Sequence, residues 1–190
     1  GELPKVAKYL DLPLQHINDD LLRRLNRRGT SADIRRILKK GRDMGFALRT
    51  SLIVGFPGET EEQFEELLDF LPEAQFDRMG AFAYSPEEDT PAADMPDQIS
   101  EEVKQDRLDR LMQRQAAISK QRNEARIGKT YKVLVTDCSE DGYFLGRSQY
   151  EAPDADGAIV FTAENAPKVG DFVQVKITEA DVYDLRGVRV

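Results

Sequence analysis

The chain has 190 residues, of which 40% are hydrophobic, and its 27 basic and 35 acidic side chains give a formal net charge of −8. This composition is typical of globular domains and argues against wholesale disorder and against a protein that coats nucleic acid with its whole surface. The single cysteine, Cys138, excludes an internal disulfide, a four-cysteine zinc site and an iron–sulfur cluster held by this chain alone. No apolar run approaches the roughly 18 to 20 residues that span a bilayer, so we expect a cytoplasmic protein with no membrane partner.

The first third of the chain alternates apolar strand-like runs with capped helices. A short strand at 9–14 is followed by a helix that begins after Asn18, and Thr30 with Asp33 forms the capping box of the next helix. The chain starts with Gly rather than Met, and its first strand begins within ten residues of that start. We therefore expect a piece of a longer protein.

A second strand and helix follow directly, joined by a turn that contains two glycines. The strand lies within 46–56, a capping box of Thr60 with Gln63 begins the helix, and a third strand spans 79–84. Apolar strands separated by helices predict a parallel α/β sheet covered on both faces. Three strands do not close a barrel, so the prediction is a partial (β/α) barrel.

The hydrophobic period changes to two after residue 127. A proline-containing loop at 85–98 and a helical stretch at about 100–125 precede five short strands that are separated by turn residues. Five strands in about 60 residues predict a small all-β antiparallel barrel of the oligonucleotide/oligosaccharide-binding type.

The charges are segregated along the chain. Residues 1–49 carry +6, residues 50–103 carry −14, residues 104–126 carry +4 and residues 127–190 carry −4. A solvated surface is the simplest interpretation of the acidic block.

The turn between the second strand and its helix, residues 51–60, is the strongest chemical signal. Its glycines allow a ligand to approach the backbone, and a helix amino terminus presents unsatisfied N–H groups, so the segment predicts a small polar ligand; a tight structural turn is the alternative. The lone histidine, His16, is more simply a structural residue than a metal ligand, and Cys138 is more simply an idle thiol.

Seven stretches together carry a resemblance to one family. Those at 9–16, 49–60, 76–90 and 96–98 resemble the last three strands of the barrel in methylthiotransferases of the radical S-adenosylmethionine superfamily; those at 146–148, 152–157 and 180–187 resemble the carboxyl-terminal TRAM barrel of the RimO type. The resemblance implies three parts: the carboxyl-terminal half of the radical S-adenosylmethionine barrel (1–98), a linking helix (99–126) and a TRAM domain (127–190).

The resemblance also implies a function and its cofactors. Members of the RimO type methylthiolate the β-carbon of an aspartate in ribosomal protein uS12 of the small subunit, with S-adenosylmethionine and two four-iron four-sulfur clusters. The cysteines that hold both clusters are absent from this chain. The expected role is therefore to supply part of the S-adenosylmethionine site and the substrate-recognition domain, without activity of its own.

Seven residues match positions that the resemblance implies for the S-adenosylmethionine site. Ser51, Ile53, Gly55 and Glu59 fall on an adenine-binding pattern, although the first glycine of that pattern is missing and the acid is displaced by one. Gln15 and Arg49, expected at strand ends, are candidates for the methionyl carboxylate or the ribose, since guanidinium pairs well with carboxylate. Tyr84 is the candidate that flanks the adenine.

Two other functions stay open at this stage. A sister enzyme of the family methylthiolates an adenosine in transfer RNA, but an RNA-gripping barrel should be basic and residues 127–190 carry −4. The charge therefore favours the protein substrate over nucleic acid. The second alternative is a non-catalytic TRAM binding module, which gains weight from the missing cysteines.

Overall fold

The computed structural model describes residues 5–139 and 141–190, and the chain divides into two compact units. The first, the strand–helix unit, comprises Leu10–Met44 and Leu48–Ile118. The second, the barrel unit, comprises Ser119–Val190 and two short segments that end at Tyr9 and Ala47. Among the described residues, no helix has both the length and the apolar character needed to cross a membrane.

Strands and helices alternate up to β3, and a long helix follows. In chain order the elements are β1 (Tyr9–Gln15), α1 (Asp19–Arg24), α2 (Ser31–Asp43), β2 (Ala47–Val54), α3 (Glu61–Ala74), β3 (Arg78–Ala83) and α4 (Glu101–Glu124). All three predicted caps are confirmed: the Asn18 side chain accepts from two backbone N–H groups of α1, and Thr30 and Thr60 form the capping boxes of α2 and α3.

The three strands form one sheet in the order β1-β2-β3, with β2 and β3 parallel, as predicted. Along β2 the buried residues alternate with partly exposed ones, because successive side chains of a strand point to opposite faces. Helix α2 covers the buried face: a β-carbon added at Gly41 would lie 3.1 Å from a methyl group of Leu48.

The other face of the sheet is not covered by these helices. It carries Arg49, Ser51 and Ile53 of β2, and Phe82 of β3, which lies opposite Ile53 in the parallel register and is 59% exposed. A β-carbon at Gly80 would lie within 4 Å of both the Phe82 ring and the Ser51 hydroxyl, which places these side chains on one surface. We call this surface the open face.

The barrel unit contains five strands that close in the order β4-β5-β6-β8-β7. Their bounds are β4 (Thr130–Cys138), β5 (Phe144–Arg147), β6 (Ile159–Thr162), β7 (Phe172–Ala180) and β8 (Leu185–Arg189). The inward side chains fill a core of aliphatic residues and the stacked pair Phe144 and Phe161. The predicted barrel is confirmed, with one correction: β6 and β8 run parallel, so the barrel is mixed. A closed ring with an odd number of strands cannot be antiparallel throughout.

Candidate functional site

Three of the predicted site residues lie at the end of β1 or on the open face of β2. Gln15 is the last residue of β1, and Ser51 and Ile53 lie on the open face near the carboxyl end of β2. Neither the Gln15 amide nor the Ser51 hydroxyl makes a hydrogen bond within the described part of the chain. Gln15 has φ of +72°, a left-handed conformation that costs a residue other than glycine about 1–2 kcal/mol and that is typical of functional sites.

Arg49 lies elsewhere on the strand. It is the third residue of β2, five residues before Val54, which corresponds to roughly 16 Å of extended chain. Its guanidinium donates to the Asp11 carboxylate at 2.7 Å. The expectation that Arg49 stands at a strand end is therefore wrong, because β2 begins at Ala47 and the residue lies near its start.

Glu59 links the carboxyl ends of β1 and β2 from a fully buried position. One carboxylate oxygen lies 3.2 Å from Nε2 of His16, and the other accepts from the Gly55 N–H and from Nη1 of Arg107, both at 2.7 Å. Both oxygens are thus occupied by the protein. This arrangement favours a role in holding the turn in place over direct contact with a cofactor.

His16 is buried and its two ring nitrogens have distinct partners. The backbone N–H of Asn18 donates to Nδ1 at 3.0 Å, so Nδ1 is an acceptor and the hydrogen-bond network assigns the ring proton to Nε2, which donates to Glu59. The histidine is therefore structural in this arrangement, in agreement with the simpler interpretation of the sequence.

Four backbone N–H groups of the turn between β2 and α3 have acceptors within the chain. Those of Gly55, Gly58, Glu59 and Thr60 donate to Glu59, to the Asp97 carbonyl, to the Phe56 carbonyl and to Gln63, respectively. These four donors are therefore used within the chain, and a small polar ligand at this turn stays a prediction.

Tyr84 follows β3 and packs its ring edge-on against Phe56, with ring centres 5.3 Å apart. Its hydroxyl oxygen is enclosed and has no hydrogen-bond partner in the described structure. Because buried hydroxyl groups are rarely left unpaired, this one indicates a place where a partner is missing.

Two charged residues of α4 were missed by the sequence analysis. Arg107 and Lys104 have side chains that are 5% and 3% exposed, and Arg107 also donates to Glu61 at 3.1 Å. They lie four and seven residues before the buried Leu111, on the buried stripe of the helix. Charged residues at the spacing of a buried stripe are a signal that a sequence can reveal.

A second buried ion pair lies in the barrel unit. Arg126 donates to Glu151 at 2.5 Å, and its guanidinium lies 4.6 Å from the centre of the Tyr131 ring. Burial alone raises the pKa of Glu151, but Arg126 and hydrogen bonds from Ser148 outweigh it and leave the pKa below its ordinary value. The pair attaches the chain after α4 to the barrel and is structural.

Comparison with known proteins matches both units to families. Residues 2–71 match the radical S-adenosylmethionine superfamily, and residues 127–190 match the TRAM domain. The chain is 54% identical over 188 residues to the ribosomal protein uS12 methylthiotransferase RimO of Geobacter sulfurreducens, with 97% of this chain and 42% of the relative covered. The chain is thus similar over nearly its whole length to methylthiotransferases, with a radical S-adenosylmethionine segment followed by a TRAM domain.

Two further relatives of the same name show how much of the family's length the chain represents. The relative from Geotalea uraniireducens is 50% identical, and the alignment covers 96% of this chain and 42% of the relative. The relative from Desulforamulus reducens is 48% identical, and the alignment covers 98% of this chain and 43% of the relative. The chain thus spans about two fifths of the length of the methylthiotransferases it matches. Among the described residues, no group of three metal-ligating side chains could hold a metal ion.

Proposed function

We propose that this chain is part of an enzyme that methylthiolates the β-carbon of an aspartate in ribosomal protein uS12. The relatives that match 96–98% of the chain are named as methylthiotransferases of ribosomal protein uS12. Residues 1–98 would then be the carboxyl-terminal half of the barrel, 99–126 the linking helix and 127–190 the TRAM domain. The cytoplasm remains the predicted location.

The observation that supports this proposal most directly is a set of polar side chains near the ends of β1, β2 and β3 that have no hydrogen-bond partner in the described structure. S-adenosylmethionine has hydroxyl, amine and carboxylate groups beside an aromatic base, and the Gln15 amide and the Ser51 hydroxyl have no hydrogen-bond partner among the described residues. Ile53 offers an apolar side chain on the same face of β2 as Ser51, and the enclosed hydroxyl of Tyr84 has no partner within the described structure. These side chains fit the molecule, and we propose that they bind it.

The roles of the remaining predicted residues differ. Glu59 and Gly55 would act through the turn, since Glu59 holds the Gly55 N–H and His16 in place. Arg49 is paired with Asp11 and lies nearer the start of β2, so any contact it makes with a ligand would be at that part of the open face. When bound, S-adenosylmethionine supplies the methyl group and the hydrogen-abstracting chemistry of the family; the chain's residues bind and orient it.

The iron–sulfur clusters do not fit the residues of this chain. A four-iron cluster is held by cysteine thiolates, and the chain contains one cysteine, Cys138, which is exposed in the barrel unit. The residues that would hold both clusters must therefore come from outside these 190 residues.

The test is a mass comparison in cells with and without the gene that encodes the chain. Intact masses of the small-subunit ribosomal proteins and the nucleosides of transfer RNA are measured in both. Loss of a methylthio group from uS12 is the expected result. Loss of a methylthio group from an adenosine instead would assign the protein to the transfer RNA branch of the family. No change in either would leave the non-catalytic TRAM binding module as the function.

One observation favours RNA as a second candidate partner. Three paired positions of β4 and β7 project outward, and they carry two lysines, an exposed phenylalanine and no carboxylate: Thr130 with Lys176, Lys132 with Gln174, and Leu134 with Phe172. Lys132 lies 4.5 Å from the centre of the Phe172 ring, which is 61% exposed. Basic side chains beside an exposed aromatic ring suit a nucleic-acid strand.

This second candidate has a separate test. We call the three outward pairs the β4–β7 wall. If this wall binds RNA, the double change Lys132→Gln with Phe172→Ala should weaken binding of a single-stranded RNA to the chain at least tenfold. Lys168→Gln, which removes an exposed lysine from the loop before β7, is the matched control. Equal RNA binding by all three proteins would contradict the RNA candidate.

A further inference from the structure

Lys104 holds a positive charge where the fold alone disfavours one. It lies in the first turn of α4, where the helix dipole repels cations, and its side chain is only 3% exposed. Burial of an ammonium group is costly unless a counter-charge accompanies it into the interior. The position therefore requires an anionic partner.

The partner that the chain itself supplies is weak. Lys104 donates to the carboxylate of Glu101 at 2.6 Å, three residues earlier on the same helix, but the Glu101 side chain is 82% exposed. An exposed carboxylate on a flexible side chain contributes little to a pair, because water competes for it. Glu101 thus covers the ammonium from the solvent side and is free to move away.

The location of Lys104 connects it to the ends of the strands. Its aliphatic stem packs over Gly55, where an added β-carbon would lie 2.3 Å from Cγ, and its ammonium lies 5.4 Å from the centre of the Tyr84 ring. Gly55 follows β2 and Tyr84 follows β3. Lys104 therefore belongs to the same edge of the sheet as the unpaired side chains described above.

We propose that Lys104 binds a carboxylate of a ligand, and that the Glu101 carboxylate holds the position which the ligand's carboxylate takes. The inference rests on the proposed function, which offers two sources for this group: the methionyl part of S-adenosylmethionine and the aspartate side chain of the protein substrate. Lys104 takes the role expected of Arg49, whose guanidinium is paired with Asp11 near the start of β2.

The two members of the pair give opposite predictions. Binding of S-adenosylhomocysteine and of 5′-methylthioadenosine, which lacks the carboxylate, is measured calorimetrically on the whole chain. Lys104→Met should weaken binding of S-adenosylhomocysteine about 10- to 100-fold, the loss of one charge-assisted hydrogen bond, and leave 5′-methylthioadenosine within about twofold. Glu101→Gln should strengthen binding of S-adenosylhomocysteine severalfold, because it removes the competing carboxylate. Lys120→Met, on the exposed part of α4, is the matched control and should change neither.

A further measurement separates the two sources. If Lys104→Met changes only the binding of an aspartate-containing peptide, and not of its asparagine counterpart, the carboxylate belongs to the substrate. Weaker nucleoside binding in both Lys104→Met and Glu101→Gln would identify a structural pair and overturn the inference, as would no change in any ligand. Glu101→Gln decides the matter even if Lys104→Met fails to fold. A wild-type chain that binds the aspartate-containing peptide but neither nucleoside overturns the proposed cofactor site alone, whereas one that binds none of these ligands overturns this inference as well.

Discussion

Replacement of Glu59 by glutamine should destabilise the strand–helix unit by about 3 kcal/mol. The carboxylate accepts from three donors, of His16, Gly55 and Arg107, and it is fully buried. An amide has the same shape but one acceptor oxygen, so it presents an N–H group to at least one of those donors. Removal of one partner of a buried ion pair costs about 3–5 kcal/mol. The lower value applies because Arg107 retains its second contact, to Glu61.

The measurement is native-state hydrogen exchange of the β2 amide groups in the whole chain, which reports the opening free energy of that unit. Glu73→Gln is the matched control, since Glu73 also pairs with an arginine, Arg35, but is 52% exposed and should cost less than about 1 kcal/mol. A second change, Arg107→Met, made on top of Glu59→Gln should restore part of the stability, because it removes the uncompensated charge.

The reasoning would be refuted by a Glu59→Gln chain whose β2 amides exchange as slowly as those of the control. It would also be refuted if the double change destabilised by the sum of the single changes, since residues that share one network are not additive. Either result would mean that the charges of Glu59 and Arg107 do not depend on each other.

Three other outcomes follow from the structure. Glu151→Gln should lower the free energy of unfolding of the barrel unit by about 3 kcal/mol near pH 7. The pKa of Glu151 in the folded chain lies below its ordinary 4.5, so the wild type loses this stabilisation as the pH falls through that pKa, whereas the variant does not. Acid unfolding curves of the two proteins measure the difference. Identical acid limbs would contradict this. Gly146→Ala should cost about 3 kcal/mol, since its β-carbon would lie 2.5 Å from a backbone carbonyl, whereas Gly142→Ala, which meets open space but has φ of +80°, should cost about 1 kcal/mol. Denaturant unfolding of both checks the order. Thr60→Ala should cost α3 about 1 kcal/mol by the same measurement, because it removes a capping box; an unchanged midpoint would argue against that cap.

The local structure could be predicted because its causes lie within a few residues of one another. The cap at Thr60 and its partner Gln63 are three residues apart, and the alternation of β2 is visible in eight consecutive residues. The parallel β6–β8 pair was missed because it depends on how five strands close into a ring, which no single strand records.

The candidate site was predicted less completely because its contacts span long stretches of chain. The Glu59 carboxylate meets a donor 43 residues before it and another 48 residues after it. Sequence spacing therefore placed Glu59 in the right turn without revealing that its oxygens are occupied. The position of Arg49 failed for a different reason: the strand bounds were nearly right, but Arg49 is the third residue of β2 and lies away from the carboxyl end, where a ligand site was expected.

The charge of the barrel unit shows why a sum over a segment is a poor guide to a binding surface. Residues 127–190 carry −4, which argued against RNA, yet the three outward pairs of β4 and β7 carry Lys132, Lys176 and the exposed Phe172 without a carboxylate. The exposed carboxylates of these strands, Asp137 and Glu179, lie beyond those pairs. The carboxylates that make the sum negative, such as Asp154 and Asp184, lie in loops. Electrostatic attraction between exposed groups falls off over about 8–10 Å at physiological salt, so a partner on the β4–β7 wall senses the nearby lysines more than the net charge. The negative net charge of residues 127–190 therefore does not exclude RNA from the surface around Lys132 and Phe172.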